Sequence, residues 1–516
     1  MNLKKTTSLV ISAAMAACVM TFPSAQAEGS IVTSRTLDTA FSVSDNIYYN
    51  NYIAWSTPVY SYLYENDDNT ITKAECSDDG STFTVENYSA DFELLDSKEI
   101  QCELPIFGGA YSGSNYNYLV FGQSNSSDSS STEVMRVVQY DKSWNRINSL
   151  SIKGANTRYP FSAGSLRMCE SNGTLYIHTC HIMFKTSDGL NHQANMTFAI
   201  DTASMTEIDS YYGVMNIGYG YISHSFNQFI KSDGEYIYRV DHGDAYERGV
   251  TITRFKEGDS VTNVEYTNAF PIQGTIGTND TGVSIGGFEL SDNNCIIAGN
   301  SVDQSGAENY SSSAKRDIFL TLTDKDFDHP SLLWLTDYPE DKSVTPTTPK
   351  LVKYDTNKFL LMWDEVDNSD NTTLLAMATV DLNKNAISAI KYSNIALSDC
   401  EPIAEKDGYI KWYITDSEKT TLFSVDPDAL ASCEDDFILA ESLDPVIPGD
   451  VDGNGTVELT DATIVLTMYA KSAASIELDE TEKRQLAAAD VNKNGSIDLS
   501  DATEVLSIYA RNAAGL

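Results

Sequence analysis

Short runs of apolar and β-branched residues alternate with polar turns along most of the chain, from about residue 28 to residue 440. The runs are rich in Tyr, Ile, Val, Thr and Phe, and the segments between them are rich in Asn, Asp, Gly and Ser. Apolar residues spaced at the period of an α-helix are scarce in this region. Because short strands bounded by turn residues give this texture, the pattern predicts a mainly β body.

Two markers recur within this body. The first is a polar turn followed by one strand, and it is found at residues 113–121, 171–179, 232–240, 291–299, 355–363 and 406–414. The second is an apolar strand that ends near an acidic turn, and its examples are residues 92–96, 138–141, 198–201, 321–324, 378–381 and 423–426, with residues 252–256 filling the gap. Four-stranded units that repeat in this way are typical of a β-propeller.

The seven strand-and-turn markers predict a β-propeller of about seven blades. Residues 31–40 form one more apolar run, and we expect this run to close the ring against the last blade. A large β-sandwich with irregular strands is the alternative architecture.

The last part of the chain has a different pattern, in which one motif occurs twice. Residues 450–461 read DVDGNGTVELTD, and residues 490–501 read DVNKNGSIDLSD. A segment with helical periodicity follows each motif, at 461–470 and 501–510. The tail is therefore predicted to consist of two loop-and-helix units.

Each motif has the spacing of an EF-hand-like calcium loop, which supplies oxygen atoms from positions 1, 3, 5, 7, 9 and 12. Position 6 requires a sharp turn that glycine adopts easily, and it is Gly455 in one loop and Gly495 in the other. Two acidic surface turns are the alternative, but two full matches in tandem favour two bound Ca²⁺ ions. The predicted ligands are Asp450, Asp452, Asn454, Thr456, Glu458 and Asp461, and Asp490, Asn492, Asn494, Ser496, Asp498 and Asp501.

The tail resembles the type I dockerin of cellulosomes and related extracellular enzyme complexes. Position 12 is Asp in both loops, and Pro445 and Pro448 stand where an ordinary EF-hand has a helix. The resemblance covers residues 448–511. It implies a small all-α module that folds around calcium and binds a cohesin module on a scaffoldin.

In the family, the partner is contacted by loop positions 10 and 11 and by the helix that follows. The resemblance assigns this role here to Leu459, Thr460, Thr463, Leu466 and Thr467, and to Leu499, Ser500, Thr503, Leu506 and Ser507. Leucine at position 10, where many dockerins carry a hydroxyl, leaves the cohesin class open. The duplicated face implies binding in two orientations.

Residues 1–27 have the pattern of a secretory signal peptide. Lys4 and Lys5 precede an apolar run at 9–22, and small residues follow at 24–27. The predicted domains are a signal peptide at 1–27, the body at 28–440, a linker at 441–447 and the dockerin at 448–516. The protein is expected to be secreted without a membrane span and to associate with a cellulosome or cell surface through its scaffold.

The formal net charge of −40 argues against nucleic acid as a partner, because an anionic surface repels phosphate. The same charge suits neutral substrates, and a strongly anionic substrate would require a local basic pocket. The seven cysteines beyond the signal peptide are scattered and odd in number, so no disulfide framework is predicted.

Five of the six histidines lie between residues 178 and 242. We expect the polar residues of this region to share one pocket on the propeller, namely His192, His224, Asn227, Asp241, His242, Asp244 and Arg248. A glycoside hydrolase would need two carboxylates, with Asp241, Asp244 and Glu247 as candidates. A polysaccharide lyase would need a base, and His224 or His242 with Tyr246 and Arg248 could supply that chemistry. A buried polar network without catalytic function is the alternative.

The resemblance therefore implies a docked component of a cellulosome-type complex. Because dockerin-bearing proteins mostly handle plant polysaccharide, the body is expected to degrade or bind such a glycan. A non-catalytic carbohydrate-binding or interaction propeller is the alternative.

Overall fold

The computed structural model describes residues 30–41, 45–46, 58–305, 314–416, 419–444, 446–478 and 480–514. The predicted signal peptide at 1–27 lies outside these residues. The first strand, β1 (Val32–Leu37), stands apart from the strands that follow it in sequence, because its partners lie near residue 425.

Within the described part of the chain, strands of the body assemble into seven sheets. Six of these sheets are blades built from consecutive stretches of chain, except that the sixth also receives one short strand from further along the chain. Blade 1 comprises β2 (Ser61–Glu65), β3 (Ile71–Cys76), β4 (Thr82–Tyr88) and β5 (Leu94–Gln101). Blade 2 comprises β6 (Ile106–Ser112), β7 (Asn117–Gly122), β8 (Glu133–Tyr140) and β9 (Arg146–Lys153). Blade 3 comprises β10 (Thr157–Pro160), β11 (Leu166–Ser171), β12 (Thr174–Lys185), β13 (Asn191–Asp201) and β14 (Thr206–Tyr211).

A short 3-10 helix at Ile217–Tyr219 leads to the second half of the ring. Blade 4 comprises β15 (Ser225–Ser232), β16 (Tyr236–Ala245), β17 (Glu247–Lys256) and β18 (Glu265–Pro271). Blade 5 comprises β19 (Val283–Leu290), β20 (Asn294–Ser301), β21 (Asp317–Asp324) and β22 (Ser331–Trp334). Blade 6 comprises β23 (Val344–Pro346), β24 (Lys350–Asp355), β25 (Lys358–Asp367), β26 (Thr373–Asp381), β27 (Ala386–Ile387), β28 (Lys391–Ser393) and the later strand β32 (Phe437–Ile438), which runs parallel to β28.

The seventh sheet, here called the closing sheet, joins the two ends of the body. It contains β29 (Ile403–Ala404), β30 (Ile410–Thr415), β31 (Thr420–Val425), β1 and β33 (Glu441–Ser442). β1 runs antiparallel to β31, from Val32 opposite Val425 to Leu37 opposite Thr420. Val32 and Leu37 are buried in the same apolar cluster as Trp412, so the closure is part of the core. Closure by the run at 31–40 is thereby confirmed.

The β-propeller prediction is confirmed, with a correction to the number of blades. Consecutive strands build six blades among the described residues, not seven. Near residue 410 the chain supplies β30, β31 and the two-residue β29, and the closing sheet obtains its fourth strand from the other end of the body. A repeat marker cannot distinguish a complete blade from this shared sheet, because both contain the same turn-and-strand unit.

The six turn-and-strand markers fall on a strand in the middle of six of the seven sheets, and blade 1 has none. Residues 117–121, for example, lie in β7, where every residue is buried. The outermost strand of a blade is more exposed, as in β5, where no residue is fully buried. Strands covered on both faces read as continuous apolar runs, which explains why they gave the strongest sequence signal.

The C-terminal region is helical, as predicted. After the short helix α1 (Pro427–Ser432) and the strand β32 (Phe437–Ile438), it contains α2 (Leu459–Ala473), α3 (Glu480–Ala489) and α4 (Leu499–Ala513). A small core of apolar side chains holds these helices together, namely Val451, Val457, Ala462, Val465, Met468, Ala489, Ala502 and Val505. Among the described residues, no helix combines the length and the apolar character needed to cross a bilayer.

Candidate functional sites

Three carboxylates of the first loop converge at the start of α2. One oxygen from each of Asp450, Asp452 and Asp461 lies within 4.8 Å of the others. Asp450 and Asp461 are buried, whereas Asp452 is exposed. Three acidic groups so close together repel one another unless a cation lies between them.

Backbone N–H groups hold Asp461 in position. Its Oδ1 accepts hydrogen bonds from Val451 at 2.6 Å and Asp452 at 2.9 Å, and its Oδ2 accepts one from Glu458 at 2.8 Å. Asp461 also lies in the first turn of α2, so one side chain both caps the helix and closes the loop.

The pKa of Asp450 shows that burial and the nearby carboxylates disfavour its ionised form. Burial raises the pKa of Asp450, and the neighbouring carboxylates of Asp461 and Asp452 raise it further, against the opposing hydrogen bond from the Gly455 N–H. A divalent cation offsets such repulsion because it interacts favourably with every carboxylate at once.

The second loop repeats the geometry of the first. Asp490 accepts hydrogen bonds from the N–H groups of Asn494 at 2.9 Å and Gly495 at 2.8 Å. Asp501 accepts from Asn492 at 3.3 Å and Asp498 at 3.0 Å. The two loops are therefore equivalent in backbone course as well as in sequence.

The donor set fits calcium. Both loops offer only oxygen donors, from carboxylates, side-chain amides and the carbonyls of Thr456 and Ser496, which are the ligands that hard cations prefer. Gly455 has φ 86° and Gly495 has φ 84°, so position 6 adopts the left-handed turn that the motif requires. At position 9, Glu458 Oε1 accepts from Asn454 Nδ2 at 3.2 Å, which keeps two predicted ligands together.

The predicted partner-binding residues form two matching exposed faces, one on α2 and one on α4. All ten of these residues are exposed. Leu459 and Leu499 are 55% and 54% exposed, and Leu466 and Leu506 are each 41% exposed. The two faces therefore present leucine pairs of nearly identical accessibility.

The hydroxyl groups on these faces are also arranged alike. Thr463 donates to the Leu459 carbonyl at 3.0 Å, and Thr503 donates to the Leu499 carbonyl at 2.8 Å. Thr467 and Ser507 each donate to the residue four positions earlier, again at 2.8 Å.

The polar residues at the boundary of blades 3 and 4 form a buried network around Asp241. Asp241 Oδ2 lies 3.1 Å from His178 Nε2 and accepts from Asn195 Nδ2 at 3.0 Å. Asp241 Oδ1 accepts from Ser225 Oγ at 2.6 Å. Burial raises the pKa of Asp241, but His178, the Ser225 hydrogen bond and the Arg239 charge outweigh that effect and lower it overall. Both oxygens of Asp241 therefore have hydrogen-bond partners, as expected for a buried polar network with a structural role.

The other catalytic candidates lie in different surroundings. His242 is buried, its Nε2 lies 2.9 Å from Thr281 Oγ1, and burial lowers its pKa to about 3. His224 is one-third exposed, and its Nδ1 lies 2.9 Å from Oδ1 of the buried Asp244. The hydrogen bond with Asp244 raises the pKa of His224.

Arg248, Tyr246 and His192 lie in three different environments. Arg248 donates to the carbonyls of Gln273, Asp244, Thr278 and Asp280, which places the guanidinium among backbone carbonyls at the end of β16. Tyr246 is exposed. His192 pairs with the exposed Asp188 at 2.8 Å. Asn227 joins Ser165 and the Ile285 carbonyl in another blade contact. The structure thus pairs His224 with Asp244, while their catalytic role stays a prediction.

One feature of the body was not predicted from the sequence, namely a cavity of about 500 Å³ along the axis of the ring. One inner strand from each sheet lines this cavity. Arg167, Lys231, Lys350 and Lys353 all belong to that lining. The sequence signal that could have indicated this cavity is the presence of basic residues on inner strands, because the whole chain has only 34 basic residues.

The comparisons with known proteins agree with the C-terminal geometry. Residues 448–507 match the family model described as the dockerin type I domain. No curated protein matches the chain.

Solved structures match this chain only at low structural similarity. A subtype N10 neuraminidase-like protein of A/little yellow-shouldered bat/Guatemala/060/2010 matches at 9% identity and TM-score 0.37, over 65% of this chain and 93% of that one. An alpha-L-arabinofuranosidase from Lactobacillus brevis matches at 9% identity and TM-score 0.33, over 65% and 94%. The Dos1 propeller matches at 9% identity and TM-score 0.33, over 58% and 64%. Similarities at this level carry no argument about function.

Proposed function

We propose, on the premise that residues 448–507 form a dockerin type I domain, that this protein is a secreted component of a cellulosome-type complex. A cohesin module of a scaffoldin binds the exposed face of the tail. The observation that carries this proposal is the duplication of the loops and faces, in which Leu459 and Leu466 are as accessible as Leu499 and Leu506.

Two Ca²⁺ ions complete the proposed domain, one in each loop. Asp461 and Asp501 each accept backbone hydrogen bonds at the start of a helix, so the loop conformation and the helix depend on the same carboxylate. Calcium binding is therefore coupled to formation of the binding face.

The duplicated face predicts two alternative binding orientations. Leu459→Ala with Leu466→Ala removes the leucines of one face, and Leu499→Ala with Leu506→Ala removes those of the other. Each double variant is expected to bind a cohesin within a few-fold of the natural protein, whereas the quadruple variant loses at least about 30-fold, the size of a lost interface hot spot.

Calorimetric titration of cohesin modules into each variant in calcium measures this effect. Ile476→Ala, at an equally exposed leucine-sized side chain outside both faces, is the control and should bind as the natural protein does. Loss of binding in either double variant alone would show that only one of the two faces binds the cohesin.

We further propose that the propeller body degrades or binds a polysaccharide. The cavity on its axis supports this proposal, because its volume is within the usual range of small-ligand sites, about 300–1,000 Å³. Incubating the calcium-loaded protein with a panel of plant polysaccharides tests it. New reducing ends indicate hydrolysis, products that absorb ultraviolet light indicate elimination, and retention without products indicates binding. No response to any glycan would favour an interaction subunit.

His224 with Asp244 is the pair that we propose for proton transfer if the body proves catalytic. His224 is partly exposed, and its hydrogen bond with Asp244 raises its pKa, so the buried carboxylate favours the protonated imidazole that a general acid requires. His224→Gln should then abolish product formation while leaving the thermal unfolding midpoint close to that of the natural protein.

A further inference from the structure

The cavity on the propeller axis differs in charge from the rest of the protein. The whole chain carries a formal net charge of −40. The lining of the cavity instead contains four basic side chains and two acidic ones, Glu289 and Glu401. Because a narrow cleft with low-dielectric walls concentrates the field of its charged groups, this excess of positive charge acts mainly on a ligand inside the cavity.

Two of the basic side chains are paired with the two carboxylates. Arg167 lies 2.6 Å from Glu401, and Lys231 lies 2.7 Å from Glu289. Burial raises the pKa of Glu401, but the charges of Arg167, Lys350 and Lys231 outweigh burial and lower it overall. Both carboxylates are therefore compensated inside the cavity.

The other two basic side chains donate hydrogen bonds to backbone carbonyls. Lys350 Nζ donates to the carbonyls of Asp399 at 3.1 Å and Cys400 at 2.9 Å. Lys353 Nζ donates to the Leu290 carbonyl at 2.7 Å. A carbonyl orients an ammonium group without cancelling its charge, so the contact of Lys353 positions positive charge at the wall of the cavity.

Arg167 has hydrogen-bonding capacity left over. Its guanidinium lies 5.2 Å from the centre of the Phe229 ring, which fixes its plane. Within the described part of the chain, the buried Arg167 Nε and the buried hydroxyl of Tyr64, another lining residue, have no hydrogen-bond partner. Buried polar atoms without partners are uncommon in folded proteins, and both of these atoms belong to residues that line the cavity.

We propose that this cavity binds a saccharide that carries a carboxylate, a sugar acid of the uronate type. Arg167 and Lys353 bind the carboxylate, and the aromatic side chains of Tyr64 and Tyr111 provide apolar surface for the sugar ring. This inference rests on the proposed function of the body in polysaccharide binding or degradation, and it specifies the chemical class of the glycan.

Titration of trigalacturonate into the full-length, calcium-loaded protein tests the proposal. Its fully methyl-esterified form has the same sugar backbone without the charges and serves as the matched ligand. We expect the acid to bind at least about tenfold more tightly than the ester, because the ester loses charge-assisted hydrogen bonds. The affinity for the acid should also fall between about 20 mM and about 200 mM salt, as screening increases.

Arg167→Gln and Lys353→Gln each remove one positive charge from the cavity, and each is expected to weaken binding of the acid at least about tenfold. Lys153→Gln, at an exposed position on the outer strand β9, is the matched control and should leave the affinity unchanged. Thermal unfolding confirms the fold of each variant. If Arg167→Gln fails to fold because Glu401 loses its partner, Lys353→Gln decides the result.

Equal affinity for acid and ester, or unchanged affinity in every folded cavity variant, would overturn the proposal. Binding or cleavage of neutral glycans without any response to trigalacturonate would refute this inference and leave the proposed polysaccharide function in place. Absence of a response to every glycan, charged or neutral, would refute both.

Discussion

His178 Nε2 lies 3.1 Å from Asp241 Oδ2, and both side chains are completely buried where blades 3 and 4 meet. Asp241→Ala would leave His178 without its carboxylate, and breaking a buried pair of this kind costs about 3–5 kcal/mol. We expect that loss in the free energy of unfolding, measured by urea denaturation at pH 7 in calcium.

The exposed pair of His192 and Asp188, 2.8 Å apart, provides a control of the same chemistry. Asp188→Ala should change the free energy of unfolding by less than about 1 kcal/mol, because solvent screens an exposed pair. Equal effects of the two substitutions would show that the buried network contributes little to stability.

Asp364 is expected to make the protein less stable as the pH rises. Burial raises the pKa of Asp364 to about 7, even though the Leu397 N–H donates to its oxygens at 2.9 and 3.1 Å. The folded state therefore keeps a proton that the unfolded chain releases near pH 4, and the free energy of unfolding falls between about pH 4 and pH 7.

Asp364→Asn should flatten this part of the pH profile and raise stability above pH 7, as measured by urea denaturation at several pH values. Asp367, at the end of the same strand, is the control, since hydrogen bonds from Ser369 lower its pKa. Asp367→Asn should leave the slope in place. An unchanged slope in Asp364→Asn would mean that this carboxyl is ionised in the folded protein.

Removal of calcium is expected to unfold the tail and leave the body intact. Without the cation, the repulsion between Asp450, Asp452 and Asp461 is uncompensated, and α2 loses the loop that begins it. A chelator should therefore reduce the helical circular dichroism signal. The five tryptophans all lie before residue 413, so their fluorescence reports on the body and should change little.

Addition of calcium should restore the helical signal, and Asp501→Ala should restore it only in part. A helical signal that resists chelation would contradict the coupling between metal binding and folding.

Leu37→Ala tests the closure of the ring. Leu37 is buried where β1 meets β31, and truncation of such a leucine typically costs about 2–5 kcal/mol. Chemical unfolding followed by tryptophan fluorescence measures this loss.

Ser34→Ala, on the same strand but only half-buried, is the control and should stay within about 0.5 kcal/mol of the natural protein. If Leu37→Ala were as mild as the control, the ends of the body would not depend on each other for stability.

The sequence predicted the strands that are covered on both faces, such as β7, more easily than the exposed outer strands. In blade 1 the marker at 92–96 fell on the outer strand β5, while the third strand is β4 (Thr82–Tyr88). Exposed strands carry few apolar residues, so their boundaries depend on pairing with a neighbour more than on their own composition.

The candidate site in the body shows a similar limit. The clustering of histidines between residues 178 and 242 was evident, but it could not show that His178 would be buried against Asp241 while His224 stayed partly exposed. Arg167 and Lys353 lie far apart in sequence, so no motif connects them, and only the ring brings them to one cavity.

By itself, the sequence determined the calcium loops and the helices that follow them, because every ligand of such a loop lies within twelve consecutive residues and local spacing sets its geometry. It also determined the β-rich repeat. The tertiary structure alone decided that β1 would complete the sheet of β31, that Asp241 would be a buried partner, and that basic residues from separate blades would line one axis. These relationships depend on contacts between distant segments, whose side chains become neighbours only when the ring closes.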